Sequence, residues 1–138
     1  MFKDFNISSF KKMKPPGDNT FDTMQEVKEL KSIPINKKFV KDNDNIEAAF
    51  KKTAKDNNVE DYDPKVAAKL IKDSAPVIME LKKYFDRPRP KTIAKKMNIK
   101  MKDIEMSSMK TPSYPSGHSV QGILIAKVLG DKHPKAKS

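Results

Sequence analysis

Cysteine is absent from the 138-residue chain, which excludes disulfides, thiolate zinc sites and cysteine nucleophiles together. Histidine is scarce. His118 and His133 are the two, so a metal site would take most of its ligands from carboxylates, and no HExxH or EF-hand spacing is present to organise them. Long apolar runs are missing as well. The longest, Ile123 to Ala126, falls far short of the roughly 20 residues a membrane helix requires, so no integral membrane segment is expected. The N-terminal stretch MFKDFNISSFKKMKPPGDN has an acid at Asp4 and lacks an apolar h-region. It does not read as a signal peptide, and a cytoplasmic or otherwise soluble location is expected. Arginine is the last scarcity: of 29 basic residues only Arg87 and Arg89 are arginine, and they stand two apart in RPRP.

The cations that are present give a formal net charge of +11 and a pI near 9.7, which suits anionic partners. Lysines are interleaved with acids along the whole chain, so most of this charge reads as a solvated surface rather than a nucleic-acid patch. The two arginines carry more information than the total. A guanidinium fork matches phosphate or carboxylate bidentately, whereas an ammonium is a point charge. With 36% hydrophobic and 34% charged residues, the composition predicts one domain with a modest core. We expect residues 1–19 to be an extended or poorly ordered arm and residues 20–138 to be a single all-α domain.

Local patterns predict the helices. A first helix is expected over Phe21 to Lys31, capped by Thr20, with Phe21, Met24, Val27 and Leu30 on one face and Pro34 beyond its end. A second spans Asn45 to Lys55, with Ile46, Ala49, Phe50 and Thr53 facing inward and Asn57-Asn58 closing it. A third starts at the Asp63 cap and Pro64, and Val66, Leu70, Val77, Leu81 and Phe85 trace its face. Pro76 within it predicts a kink or two abutting helices, and Pro88 and Pro90 stop it. Met97, Met101, Met106 and Met109 follow at partly helical spacing and are expected to fill core gaps. A last helix begins at a Ser116 cap, carries Val120, Ile123, Leu124 and Val128 as its apolar stripe, and ends at Gly130.

His118 thus falls in the first turn of a helix, where unpaired backbone N–H groups and the positive dipole end favour an anion. Ser116 offers a hydroxyl donor, Gly117 permits close backbone approach, and an imidazole beside bound phosphate can protonate a departing oxygen. With Lys82, six residues, then Arg89-Pro90, and Pro115-Ser116-Gly117-His118 downstream, the chain resembles the first two signature motifs of the type 2 phosphatidic acid phosphatase superfamily. That superfamily includes the soluble class A acid phosphatases and the vanadium haloperoxidases. KKYFDRPRP and SYPSGHS look most like the acid phosphatase branch, and the match covers about residues 64 to 130.

The resemblance implies an all-α helical bundle of the acid phosphatase/haloperoxidase type and hydrolysis of a small phosphorylated substrate through a phosphohistidine, without a metal or other cofactor. Lys82, Arg89, Ser116 and Gly117 take the phosphate-binding positions, His118 takes the place of the histidine that protonates the leaving group, and Arg87 is expected to support the local field. Vanadate would act as an inhibitor, or as the cofactor of a haloperoxidase-like alternative. A non-catalytic phosphate or nucleic-acid binding remnant is the alternative from another class.

The superfamily's third motif, Ser-Arg, five residues, His, three residues, Asp, has no counterpart. Aligning His133 with its histidine puts Ala126, Lys127 and Lys137 where Ser, Arg and Asp belong. His133 would also lie about 20 Å from His118 along one helix, and it is expected to face solvent. The expectation is therefore a phosphatase-like bundle incomplete at its C-terminal end, its site completed by a missing segment or a second chain.

Overall fold

The computed structural model describes residues 5–102 and 106–132, and His133 lies outside them. Every regular element among the described residues is helical. In chain order they are α1 (Ile7–Phe10), α2 (Phe21–Ser32), α3 (Lys37–Asn43), α4 (Ile46–Asp56), α5 (Pro64–Phe85), α6 (Pro90–Lys96), a 3₁₀ turn (Ser107–Lys110) and α7 (Gly117–Lys132).

Capping side chains start most of these helices where the sequence predicts. The Thr20 hydroxyl accepts from Thr23 N, Asn45 Oδ1 from Ala48 N and Asp63 Oδ1 from Lys65 N, at 3.3, 3.0 and 2.9 Å, each pairing an otherwise orphaned first-turn donor. Asparagine ends two helices in glycine's usual role. Asn58 and Asn98 adopt φ of 55° and 56°, and Val59 N and Ile99 N then donate back to Ala54 O and Ala94 O, both at 2.9 Å. α5 stops at Phe85 because Asp86 turns left-handed at φ 45° and its N–H donates to Lys82 O at 2.8 Å; the prolines that follow only prevent resumption.

α5 is the spine. At 1.5 Å per residue its 22 residues span about 33 Å, and α1, α4 and α7 all pack on it. Pro76 does not divide it into two abutting helices, one of the two expected outcomes. Pro76 and Lys72, whose carbonyl loses a partner four residues on, are both exposed, so solvent can satisfy that carbonyl. Two apolar clusters form the core. Val27 of α2 meets Ile93 and Ala94 of α6, with Met97 and Met101 packed around them. Ala67 and Leu70 of α5 meet Ile125 of α7, flanked by Ile46 and Phe50 of α4.

Predicted faces of three helices need correction. In α2 the buried face is Thr23 and Val27, whereas Phe21 is 67% and Leu30 42% exposed. A three-residue spacing drifts around a helix of 3.6 residues per turn, and α6 packs on the side that carries Val27. In α7 the core residue is Ile125 at 1% exposure, while Ile123 stands 69% exposed; Thr53 of α4 is exposed too. α7 also runs through Gly130 to Lys132. Within the lead-in, expected to be extended or poorly ordered, residues 7–10 form a helical turn. Lys11 beyond it pairs with Glu80 at 3.3 Å, and Met13 O accepts from the Tyr114 hydroxyl at 2.9 Å.

Candidate functional site

Three chain segments meet at the C-terminal end of α5. The last turn of that helix presents Lys82, the extended RPRP link places Arg89 as the N-cap of α6 at φ −66° and ψ 151°, and the 111–116 loop delivers the first turn of α7. Ser113 joins two of them. Its N–H donates to Arg87 O at 2.8 Å and its hydroxyl to Pro88 O at 2.9 Å, satisfying carbonyls that the prolines keep out of any helix. Tyr114 stacks edge-on against Phe85 with ring centres 5.0 Å apart, and the Tyr114–Pro115 peptide is cis. Ser116 then caps α7: its hydroxyl accepts from Ser119 N at 3.2 Å and its carbonyl from Val120 N at 3.1 Å, as the sequence predicts.

Lys82, Arg89, Ser116, Gly117 and His118 line one cleft of about 260 Å³. The same carbonyl-rich loop anchors both cations. Lys82 Nζ donates to Pro112 O at 2.5 Å, Arg89 Nε donates to Thr111 O at 2.8 Å, and Arg89 Nη2 reaches the Thr111 hydroxyl at 3.4 Å. Lys82 is 4% exposed, yet among the described residues no carboxylate lies within ion-pairing distance of it and two of its three donors have no acceptor. Burial, and after it the positive charge of Arg89, pull its pKa below the usual lysine value. Burial also lowers that of Arg89.

Arg87 is not part of this cleft. Its guanidinium turns to α2, where Nη2 donates to Glu26 Oε2 at 2.7 Å and to the Thr23 hydroxyl at 3.2 Å. Its expected support of the site is therefore corrected to a structural tie, because Glu26 and Thr23 of α2 take up its guanidinium. Gly117 is not demanded by packing, since a Cβ there would sit 3.8 Å from Ile78 Cγ2, an ordinary contact. His118 is exposed at the cleft edge and makes no hydrogen bond to the described residues.

The sequence reading did not assign Ala75, Ile78, Met79, Thr111 or Gln121, which also line the cleft. The signal for three of them was present: Ala75, Ile78 and Met79 precede Lys82 by seven, four and three positions and so share its helix face. Met106 and Met109, expected to fill core gaps, line the cleft as well, whereas Met97 and Met101 do pack on the core. No cluster of three or more metal-ligating side chains occurs among the described residues, and none of their helices is long and apolar enough to cross a membrane. Comparison with protein-family models, curated proteins and solved structures gave no match to this chain.

Proposed function

We propose that the cleft binds a phosphate monoester and that the protein is a phosphoric monoester hydrolase of the acid phosphatase type. One observation carries the reading: Lys82, almost fully buried, has no carboxylate partner among the described residues, lies beside a second cation and shares a cleft with the first turn of α7. A buried charge left uncompensated is costly, and an anion at this position would offset that cost for Lys82. The RPRP and PSGH motifs add the direction in which this anion is read.

In this reading Lys82 and Arg89 pair with non-bridging phosphate oxygens, and the Ser116 hydroxyl and the free N–H groups of Gly117 and His118 complete the cage at the helix start. Charge that builds on those oxygens as the phosphoryl group flattens meets donors already held in place by Thr111 and Pro112. His118, unencumbered at the rim, delivers a proton to the leaving oxygen. The attacking group opposite the leaving oxygen has no candidate among the described residues. This chain alone therefore binds phosphate and vanadate weakly and turns over little ester.

The test is hydrolysis of p-nitrophenyl phosphate by the purified 138-residue chain across acidic to neutral pH, with and without orthovanadate, beside His118→Ala. Orthophosphate and orthovanadate binding is followed in parallel. Anion binding with little turnover is expected; rapid turnover would overturn the division of labour, and absence of anion binding would overturn the site.

A further inference from the structure

The cleft also has a polarity along its length. α5 and α7 pass each other in opposite senses: Ala67 and Leu70, early in α5, meet Ile125 in the middle of α7, and Lys82, near the end of α5, meets the start of α7. Stepping back from Lys82 along α5, Ile78 and Met79 follow after one turn and Ala75 after two, about 10 Å away. Stepping forward along α7 from Gly117, Gln121 comes one turn on, and Met106 and Met109 also line the cleft. Hydrogen-bond donors and cations crowd one end. The other end offers apolar side chains and, among the described residues, a single amide.

Resting on the phosphate-site reading, we propose that the group esterified to the phosphate is compact and apolar, a single aromatic ring or a short alkyl chain seated on Ile78, Met79, Met106 and Met109. Methionine thioethers conform to a flat ring and attract it through their polarisability. A polyhydroxylated group would lose its water there and find little besides Gln121 to replace it, leaving buried donors unpaired. Size sets the other bound, because about 260 Å³ lies just below the range of pockets that take drug-sized ligands. A phosphate and one ring fit within that volume.

The experiment is a calorimetric titration of the full chain with four probes: inorganic phosphate, phenyl phosphate, n-butyl phosphate and glycerol 3-phosphate. Phenyl or butyl phosphate should bind about tenfold more tightly than glycerol phosphate, as burial of a small apolar group predicts, and whichever is tighter separates the ring from the alkyl chain. Met79→Thr, and independently the more exposed Met109→Thr, should bring that ratio toward one, with circular dichroism confirming that each variant is helical. Equal affinity for glycerol, phenyl and butyl phosphates, with phosphate binding intact, would overturn the apolar seat while leaving the phosphate site standing. A tenfold ratio unmoved in both folded variants would overturn it too. Failure of all four probes to bind would remove the site reading, and this inference with it.

Discussion

Lys82 in the last turn of α5 and Arg89 at the N-cap of α6 are held by adjacent carbonyls of one loop, Pro112 O at 2.5 Å from Lys82 Nζ and Thr111 O at 2.8 Å from Arg89 Nε. A carbonyl does not neutralise an ammonium. Lys82 is almost fully buried with no carboxylate beside it among the described residues, an arrangement that costs stability and favours an anion.

Replacing Lys82 with methionine should separate these two effects. Phosphate affinity should fall by at least tenfold, since a charge-assisted contact is worth about 1.5–3 kcal/mol. The melting temperature should be no lower than that of the wild type, because an apolar side chain of similar length removes a buried unpaired charge. A large drop in melting temperature would mean that the Pro112 contact outweighs the burial of the ammonium.

The same lysine predicts a pH dependence of stability. Its folded pKa lies below the ordinary value of 10.5, so between the two values the unfolded chain binds the proton and the folded chain does not. Stability should therefore rise with pH through that alkaline window and be flat, with respect to this group, below it. Denaturant midpoints measured along an alkaline series should show the rise in the wild type and its loss in Lys82→Met. Saturating phosphate should shift the rise to higher pH, because a bound anion favours the charged ammonium.

Arg87→Ala and Arg89→Ala should differ in kind. Loss of Arg87 removes its bonds to Glu26 and Thr23 and should cost about 1–2 kcal/mol of stability, with phosphate affinity little changed. Arg89→Ala should weaken phosphate binding instead. Thermal melts in the presence and absence of phosphate report both quantities, since ligand at a hundred times its Kd adds about 2.7 kcal/mol of apparent stability.

His118→Ala should leave orthophosphate binding within a few-fold of wild type, because the backbone N–H groups of the α7 start do not depend on the side chain. Whatever ester hydrolysis the chain supports should drop by about 10²–10⁴, the usual contribution of a positioned acid. Loss of binding and hydrolysis together would place the imidazole on the phosphate rather than on the leaving oxygen.

The register of α7 is open to a direct check. Ile125→Ala should destabilise by about 2–5 kcal/mol as a buried deletion, whereas Ile123→Ser, at a position 69% exposed, should change stability by under about 0.5 kcal/mol. The reverse order in urea midpoints would restore the stripe that spacing alone suggested.

Local chemistry made much of the chain legible. Thr20, Asn45, Asp63 and Ser116 set helix starts because a side-chain oxygen and the N–H groups two or three residues on are close in any context. Lys82, the RPRP pair and the Ser116-Gly117-His118 helix start could be singled out from residue type, and the resemblance to the two phosphatase motifs put Arg89 ahead of Arg87. Faces were harder to read. Apolar residues surround α7 almost completely, so its periodicity could not select Ile125 over Ile123, and only the packing of α5 made that choice. Arg87 and Arg89 look equivalent in RPRP, and what separates them is Glu26, sixty-one residues from Arg87 in the chain. The sequence by itself determined where helices begin and which residues could hold an anion, since both depend on groups a few bonds apart. Tertiary structure decided which of those residues share a cleft and what apolar wall they face, because long-range contacts alone bring α5, the 111–116 loop and α7 together.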